Sequence, residues 1–237
     1  MPNNPQHSKV ATRIRKTYAA RKQSPVSSNY AWNSQEEFFF MYRRLSLAGQ
    51  LLTQIEMTNL SDAKILDVGC GTGGWLTAML NWGASPSNLY GTDLLEDAIQ
   101  TARIKLPNSN LQFSEGWPLP FKNDSMNLVT ANTVLSSIIE DNARQDLASE
   151  MVRVTANNGC ILIYDFRISH PSNPNTIGIS IPSINNLFPN WTINRRTLYL
   201  APPISRKIIR FSPMLVHLIE TLCPFLRSHA MYLLTRS

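Results

Sequence analysis

The chain has 237 residues, of which 43% are hydrophobic and 16% charged, and its formal net charge is +6. This length suits one α/β domain with a full core, and the sequence shows no internal repeat. Its three widely separated cysteines exclude a disulfide framework, no Cys/His cluster has metal-site spacing, and no apolar run reaches membrane-spanning length. Because the polar, basic beginning of the chain lacks a signal-peptide pattern, we expect a cytoplasmic protein.

The first predicted element is a basic helix over residues 9–22. Six of these residues are basic, and no acid precedes Glu36. The charge indicates either an anionic partner, such as RNA, a nucleotide-sugar or a membrane surface, or a solvated helix. Val10, Ile14 and Tyr18 recur every four residues, so one apolar stripe of this helix could pack on the body of the protein.

A second helix is predicted over residues 35–57, where Ser34 and Glu37 have the spacing of a capping box. We therefore treat residues 1–58 as a basic extension with a helical cap, and residues 59–237 as the main domain.

A glycine-rich turn joins the first predicted strand to a helix that begins near Gly74. The apolar run before it is typical of a buried parallel strand. Gly69, Gly71 and Gly73 allow a sharp turn against which a ligand can lie, and the free N–H groups of the helix point at that ligand. Gly69, Gly71 and Gly74 also have the G-x-G-x-x-G spacing of a dinucleotide-binding loop. The turn alone therefore predicts a nucleotide cofactor without identifying it.

Two aspartates narrow the choice of cofactor. Asp67 stands two residues before the first glycine, where its carboxylate would repel a pyrophosphate but hold a cationic amine. S-adenosylmethionine (SAM) carries such an amine and no phosphate. Asp93 ends the next apolar run, at the position where an acid accepts both ribose hydroxyls of either cofactor. Asp67 therefore favours SAM.

The sequence resembles the class I SAM-dependent methyltransferases, in particular the small-molecule enzymes related to ubiquinone biosynthesis. The segments that carry this resemblance are Asp67–Gly73, Leu119–Phe121, Asn127–Ala131, Glu150–Val154 and Asn158–Gly159. A narrower likeness, to methyltransferases of polysaccharide and natural-product assembly, involves Tyr164–Arg167 and Asn173–Asn175. The resemblance implies a Rossmann-like, doubly wound α/β fold: a seven-stranded sheet with an antiparallel last strand, under an N-terminal helical cap.

The resemblance also implies which residues bind SAM. They are Asp67, Gly69, Cys70, Gly71, Gly73, Asp93, Leu94, Gly116, Trp117 and Asn132. One of them departs from the family pattern, because an acid that binds the adenine amino group commonly follows the glycine at position 116, and this chain has Trp117. Trp117 could contact adenine through its main-chain N–H and its ring, or simply pack under the proline-rich turn.

The remaining predicted strands cover residues 89–93, 111–114, 126–131, 160–166, 191–200 and 229–235. A helix over residues 142–154 is expected to end in a left-handed turn at Asn158-Gly159. Residues 203–226 form a basic, then apolar helical stretch broken by Pro213 and Pro224. This stretch could cover the sheet, form a dimer face or rest on a membrane.

The best candidate base is His170, in the loop after the fifth strand, since an imidazole titrates near neutral pH. Tyr164 and Asp165 could orient it or contact the acceptor, although Asp165 could equally cap the turn. Six residues are candidates for substrate contact: Tyr18, Tyr30 and Trp32 as a lid, with Thr133, Ser136 and Arg167.

We accordingly expect a metal-independent SAM methyltransferase that acts on a hydroxyl of a small-molecule or glycan biosynthetic intermediate. The alternatives are an RNA methyltransferase, motivated by the basic helix, and a SAM-binding scaffold protein without catalysis. A homodimer is compatible with the apolar C-terminal stretch.

Overall fold

The structure is a computed structural model and describes residues 5–22, 35–169, 173–209 and 211–236. The helices are α1 (Pro5–Lys22), α2 (Gln35–Gln54), α3 (Gly74–Asn81), α4 (Glu96–Lys105), α5 (Asp141–Val154), α6 (Ile181–Leu187), α7 (Pro202–Ile209) and α8 (Pro213–Leu222). The strands are β1 (Ile65–Val68), β2 (Leu89–Asp93), β3 (Asn110–Phe113), β4 (Met126–Asn132), β5 (Thr155–Phe166), β6 (Trp191–Leu200) and β7 (Arg227–Arg236). No helix within the described part of the chain is long and apolar enough to span a membrane.

All seven strands form one sheet in the order β3-β2-β1-β4-β5-β7-β6. The first five strands are parallel, and β7 inserts antiparallel between β5 and β6. The sheet with an antiparallel last strand is therefore confirmed. Because the strand order reverses between β1 and β4, their carboxyl ends form the crevice where such sheets bind ligands.

Two apolar layers cover the sheet. On one face, α5 and α6 pack against alternate strand residues such as Leu66 and Ile163. On the other face, α2, α3 and α4 pack against the intervening residues, such as Ile65 and Leu162. Since neighbouring residues of a strand point to opposite faces, Tyr164 and Asp165 belong to different layers.

Helix α1 joins the layer that contains α5. Val10 and Ile14 are buried in that core, and Tyr18 packs against it. The apolar stripe predicted from residues at intervals of four therefore lies on the body of the protein. The predicted capping box of α2 lies outside the residues whose side chains are described.

The expected left-handed turn at Asn158-Gly159 is wrong. Helix α5 ends at Val154, and β5 begins at the next residue and includes both positions. Gly159 instead allows β5 to lie close to β4, because a Cβ there would be 2.9 Å from the main-chain oxygens of Met126 and Asn127. The register of β4 and β5 shifts between Met126 and Leu128, at the same place.

Candidate active site

The glycine turn after β1 is tied to β2 through its main chain. The N–H groups of Gly69 and Cys70 both donate to the carbonyl of Thr92, at 2.8 and 2.9 Å. Gly69 has φ 71°, and a Cβ there would lie 2.5 Å from a methyl group of Val134. Gly69 is therefore required both by backbone conformation and by packing.

Gly71 faces open space. Its φ is 52°, and a Cβ added there would meet nothing within 4 Å. Gly73, also at positive φ, packs against Ala102 and Leu106, and α3 begins after it without a side-chain cap. The open side of the turn is therefore at Gly71, where a ligand can lie against the main chain.

Asp93 connects this turn to the loop that precedes α4. One carboxylate oxygen accepts a hydrogen bond from the Gly71 N–H and the other from the Leu95 N–H, each at 2.8 Å. Burial raises the pKa of this carboxyl, and the main-chain hydrogen bonds oppose that rise. A carboxylate has about four lone-pair sites, more than its main-chain donors use, so Asp93 can still accept a hydrogen bond from a ligand.

Asp67 lies at the end of β1 and is 1% exposed. Its carboxylate accepts hydrogen bonds from Thr130 Oγ1 at 2.7 Å and from Asn132 Nδ2 at 3.2 Å. Burial raises its pKa to about 7, although these bonds and the charge of Arg44 lower it. A cation bound beside Asp67 would favour the ionised form, so the site suits an ammonium group.

Arg44, on α2, is a site residue that the sequence reasoning missed. Its guanidinium lies over the rings of Trp75 and Tyr164, 5.7 and 5.2 Å from their centroids. Its Nε is buried and has no hydrogen-bond partner among the described residues. A buried donor left unpaired is costly, so this guanidinium is suited to an anionic ligand group.

His229, on β7, was also missed. Its ring stacks on Tyr164 at 5.3 Å between centroids and lies 4.3 Å from Phe166. Burial, together with the charge of Arg44, lowers its pKa to about 3, so the imidazole is neutral at physiological pH. No local sequence signal marks this residue, because the antiparallel pairing of β7 with β5 is what places His229 opposite Phe166.

Asp165 faces the opposite layer from Tyr164. It is fully buried, and its two oxygens accept hydrogen bonds from the N–H groups of Ser136 and Phe166, at 3.0 and 2.8 Å. Burial raises its pKa to about 6. Asp165 thus anchors the loop after β4, and it is not brought together with Asp67. His170 lies outside the described residues, so its relation to Asp165 is not described.

Trp117 has its polar atom and one ring face occupied. The indole N–H donates to the carbonyl of Ala143 at 3.0 Å, and the ring stacks on His7 with 4.7 Å between centroids. Gly116, at φ 89°, donates its N–H to Ser114 Oγ. Trp117 therefore packs between α1 and α5, and contact with an adenine would involve its remaining face or main chain.

Two arginines of α1 fix this helix across the carboxyl edge of the sheet. Arg13 binds Glu140 through two hydrogen bonds of 3.0 Å and donates to the Ser137 carbonyl. Arg15 donates to the Leu94 carbonyl at 3.1 Å and pairs with Glu115 at 2.7 Å. Helix α1 therefore contacts the loops that follow β2, β3 and β4.

The remaining substrate candidates are spread along the same edge. Tyr18 lies 3.4 Å from Ser137, and the Thr133 N–H donates to the Tyr164 carbonyl at 2.7 Å. Ser136 is buried, whereas the Arg167 guanidinium reaches the Pro224 carbonyl, 3.4 Å away. The positions of Tyr30 and Trp32 are not described.

Part of the chain is similar in sequence to known methyltransferases. Residues 65–159 match the family model described as a methyltransferase domain. A ubiquinone/menaquinone biosynthesis C-methyltransferase of Campylobacter jejuni is 27% identical over 109 residues, which cover 44% of this chain and 45% of that protein. A demethylmenaquinone methyltransferase of Lactococcus lactis is 30% identical over 128 residues, 52% of this chain and 48% of that protein. The chain thus spans about half the length of the curated relatives it matches.

The fold is similar to that of solved structures. A protein of Pyrococcus horikoshii superposes with a TM-score of 0.61 at 16% identity, and the match covers 87% of this chain and 94% of that protein.

Proposed function

We propose that the chain contains a class I SAM-dependent methyltransferase domain, which binds SAM between Asp67, Gly71 and Asp93 and transfers its methyl group to a biosynthetic intermediate. The observation that carries this proposal is Asp67. A carboxyl whose burial raises its pKa to about 7, beside the open face of a glycine turn, is suited to an ammonium group rather than a phosphate.

The charges around the site fit both ends of the methionine part of SAM. Asp67 offers an acceptor for its ammonium group, and the unpaired Nε of Arg44 offers a donor for its carboxylate. Asp93 adjoins Gly71 and has free lone pairs for the ribose hydroxyls. We assign the remaining contacts along this turn and the neighbouring loops to Gly69, Cys70, Gly73, Leu94, Gly116, Trp117 and Asn132.

SAM supplies an electrophilic methyl group on a sulfonium, so the protein's task is to align the acceptor and exclude water. Arg44, Trp75 and Tyr164 bound one side of the site with a guanidinium and aromatic rings. We place the acceptor near Thr133 and Tyr164, at the carboxyl edge of the sheet.

For the acceptor atom we propose a hydroxyl of a small molecule or a glycan intermediate. A hydroxyl must lose its proton during transfer, and the base proposed for this step is His170. His229 is unsuited to this role, because its pKa near 3 makes it a weak base. Tyr164, whose pKa is raised by burial, acts as a neutral hydrogen-bonding group.

A carbon acceptor is the second candidate, because the Campylobacter jejuni relative is a C-methyltransferase. An RNA substrate is less favoured. Two of the cations of α1, Arg13 and Arg15, are paired with Glu140 and Glu115 of the body rather than free for phosphates.

The test has two stages. Calorimetric titration of the full chain with SAM is expected to show binding that Asp67→Asn weakens at least about tenfold. The protein is then incubated with methyl-labelled SAM and cell extract, and the label is separated among RNA, protein, glycan and small molecules.

Label in a small-molecule or glycan fraction supports methyl transfer, and degradation of the product distinguishes oxygen from carbon methylation. Label in RNA would show that the methyl acceptor is RNA rather than a small molecule or a glycan. SAM binding without any transfer would favour the scaffold alternative, and absence of SAM binding would overturn the proposal.

A further inference from the structure

The outer face of α8 and the turns at its two ends expose six large apolar side chains, which we call the α8 face. Met214 and Phe211 are 82% and 88% exposed. The complete set is Phe211, Met214, Leu215, Leu218, Leu222 and Phe225. Contiguous apolar surface of this kind marks an interaction site.

The inner face of α8 packs against the body of the protein. Val216 is fully buried against Leu200 and Ile209, and the buried Glu220 pairs with Arg43 of α2. Glu220 also accepts a hydrogen bond from the Leu200 N–H at 2.7 Å. The helix therefore cannot rotate to hide its outer side chains, and its outer face is apolar where that of an ordinary surface helix is polar.

The surroundings of the α8 face are positively charged. Residues 166–237 contain eight lysines and arginines but one acid, Glu220, which is fully buried; one of the eight, Arg236, lies at the opposite edge of the sheet and pairs with Asp124. A groove of about 460 Å³ beside the helix is lined by Arg195, Arg196, Arg227 and His217, among others. Lys207 of α7 is exposed as well.

We propose that the α8 face binds the surface of an anionic lipid bilayer. Leu, Met and Phe side chains enter the boundary between headgroups and acyl chains, and the surrounding cations contact the anionic headgroups. The combination of an apolar helix face and a basic rim matches the chemistry of such a surface.

Two other occupants fit these observations less well. A second copy of the chain would bring an identical basic surface against this one, and like charges at an interface are unfavourable. RNA would neutralise the cations but would leave the apolar side chains of α8 in water. A bilayer satisfies both features.

The α8 face lies at the same edge of the sheet as the proposed SAM site. Helices α7 and α8 connect the end of β6 to the start of β7. Because β7 is antiparallel to β5 and β6 is antiparallel to β7, this connection lies at the same edge of the sheet as the glycine turn. A bound bilayer would therefore lie on the side of the protein where Asp67 and Gly71 are found.

The experiment measures cosedimentation of the full chain with vesicles, without SAM, so that its result is independent of the proposed function. Vesicles of phosphatidylcholine with phosphatidylglycerol are compared with phosphatidylcholine alone. We expect binding to the anionic vesicles that is at least about tenfold stronger and that weakens as salt rises from about 0.1 M to about 0.5 M.

Three variants test the surface itself. Leu218→Glu combined with Leu222→Glu is expected to weaken vesicle binding at least about tenfold, and Arg195→Gln with Arg196→Gln to remove most of the preference for anionic vesicles. Met214→Gln serves as a milder second variant if the glutamates disturb folding. The matched control is Ile104→Glu, since Ile104 is 83% exposed on α4, at the opposite end of the sheet.

Failure to bind anionic vesicles overturns the proposal, and so does binding that the α8 variants leave unchanged. A dimer that Leu218→Glu dissociates, without vesicle binding, would assign the face to a second copy. RNA binding that depends on Arg195 and Arg196 but not on Leu218 would assign the basic rim to nucleic acid.

Discussion

The carboxylate of Asp93 accepts a hydrogen bond from the N–H of Gly71 at 2.8 Å, so the proposed ribose acceptor also fixes the glycine turn. Its second oxygen binds the Leu95 N–H. We expect Asp93→Ala to abolish SAM binding and also to loosen the turn, lowering the unfolding free energy by about 1–3 kcal/mol. Asp93→Asn keeps an oxygen for one of the two N–H groups, so it is expected to retain more stability while still binding SAM poorly. Chemical denaturation and calorimetric titration separate these effects; wild-type SAM affinity in either variant would contradict the assignment.

Asp67 predicts a pH dependence of SAM binding. Its pKa of about 7 in the free protein means that the carboxylate is partly protonated at neutral pH, and only the ionised form attracts an ammonium group. Affinity is therefore expected to fall by up to about tenfold per pH unit below about 7 and to level off above it. Titrations over this range should show proton release on binding, and Asp67→Asn should bind weakly with no such dependence. A flat profile in the wild-type protein would be inconsistent with this role.

The same residue predicts a dependence of stability on pH. The folded pKa of Asp67 is raised from 3.8 to about 7, so its contribution favours folding at low pH and is lost as pH rises through about 7. Asp67→Asn keeps a side-chain oxygen for Thr130 and Asn132 but avoids burying a charge. We expect its Tm near pH 8 to exceed that of the wild type by about 2–5 °C, with a smaller difference near pH 5. A lower Tm at the higher pH would show that the carboxylate stabilises the fold.

Arg44 predicts a loss of SAM affinity without a loss of stability. Arg44→Met keeps much of the side chain's packing against Trp75 and Tyr164 but removes the buried, unpaired Nε. SAM affinity is expected to fall at least about tenfold, while the unfolding free energy stays the same or rises. Arg44→Lys, which keeps the charge but not the planar donor, should be intermediate. Equal affinity in all three proteins would remove Arg44 from the site.

Gly69 and Gly71 are expected to respond differently to alanine. Gly69→Ala places a Cβ 2.5 Å from Val134, so both overpacking and positive φ destabilise the fold, together by about 2–4 kcal/mol. Val134→Ala should restore part of this loss. Gly71→Ala meets no neighbour and carries only the strain of positive φ, about 1–2 kcal/mol, so its larger effect is expected on SAM binding. Thermal unfolding and SAM titration of the three variants check this contrast, which equal behaviour of the two alanine variants would refute.

His170 remains the proposed base, and its substitution separates chemistry from cofactor binding. We expect His170→Ala to reduce turnover by about 100-fold or more and to change SAM affinity little. His229→Gln serves as the comparison, because a neutral imidazole stacked on Tyr164 should matter for packing rather than for proton transfer. Full turnover in His170→Ala would remove His170 as base.

The strands and the glycine turn could be predicted because their signals are local. Apolar runs that end in glycine or aspartate mark β1 and β2, and the bounds of β2 and β6 agree with the structure. The turn expected at Gly159 failed because a glycine signal does not distinguish positive φ from close approach to a neighbouring strand. Helix α6 was not predicted, although Ser180 caps it and Pro182 lies in its first turn.

Arg44 and His229 could not be found from sequence because tertiary packing alone brings them together. Arg44 adjoins Arg43 in an otherwise apolar helix, and nothing local shows that one of them pairs with Glu220 while the other faces Asp67. His229 reaches Tyr164 through the antiparallel insertion of β7, more than sixty residues further along the chain.

Helix α1 contacts the loops at the carboxyl edge of the sheet, beside the proposed SAM site. Its attachment is mainly polar at the edge itself, where Arg15 holds Leu94 and Glu115 beside Asp93, and Arg13 holds Glu140. These ion pairs are partly exposed and weaken in salt, whereas the buried contacts of Val10 and Ile14 do not. For the proposed site we therefore expect added salt to weaken the polar attachment of α1 beside Asp93, while the buried contacts of Val10 and Ile14 keep the helix on the body of the protein.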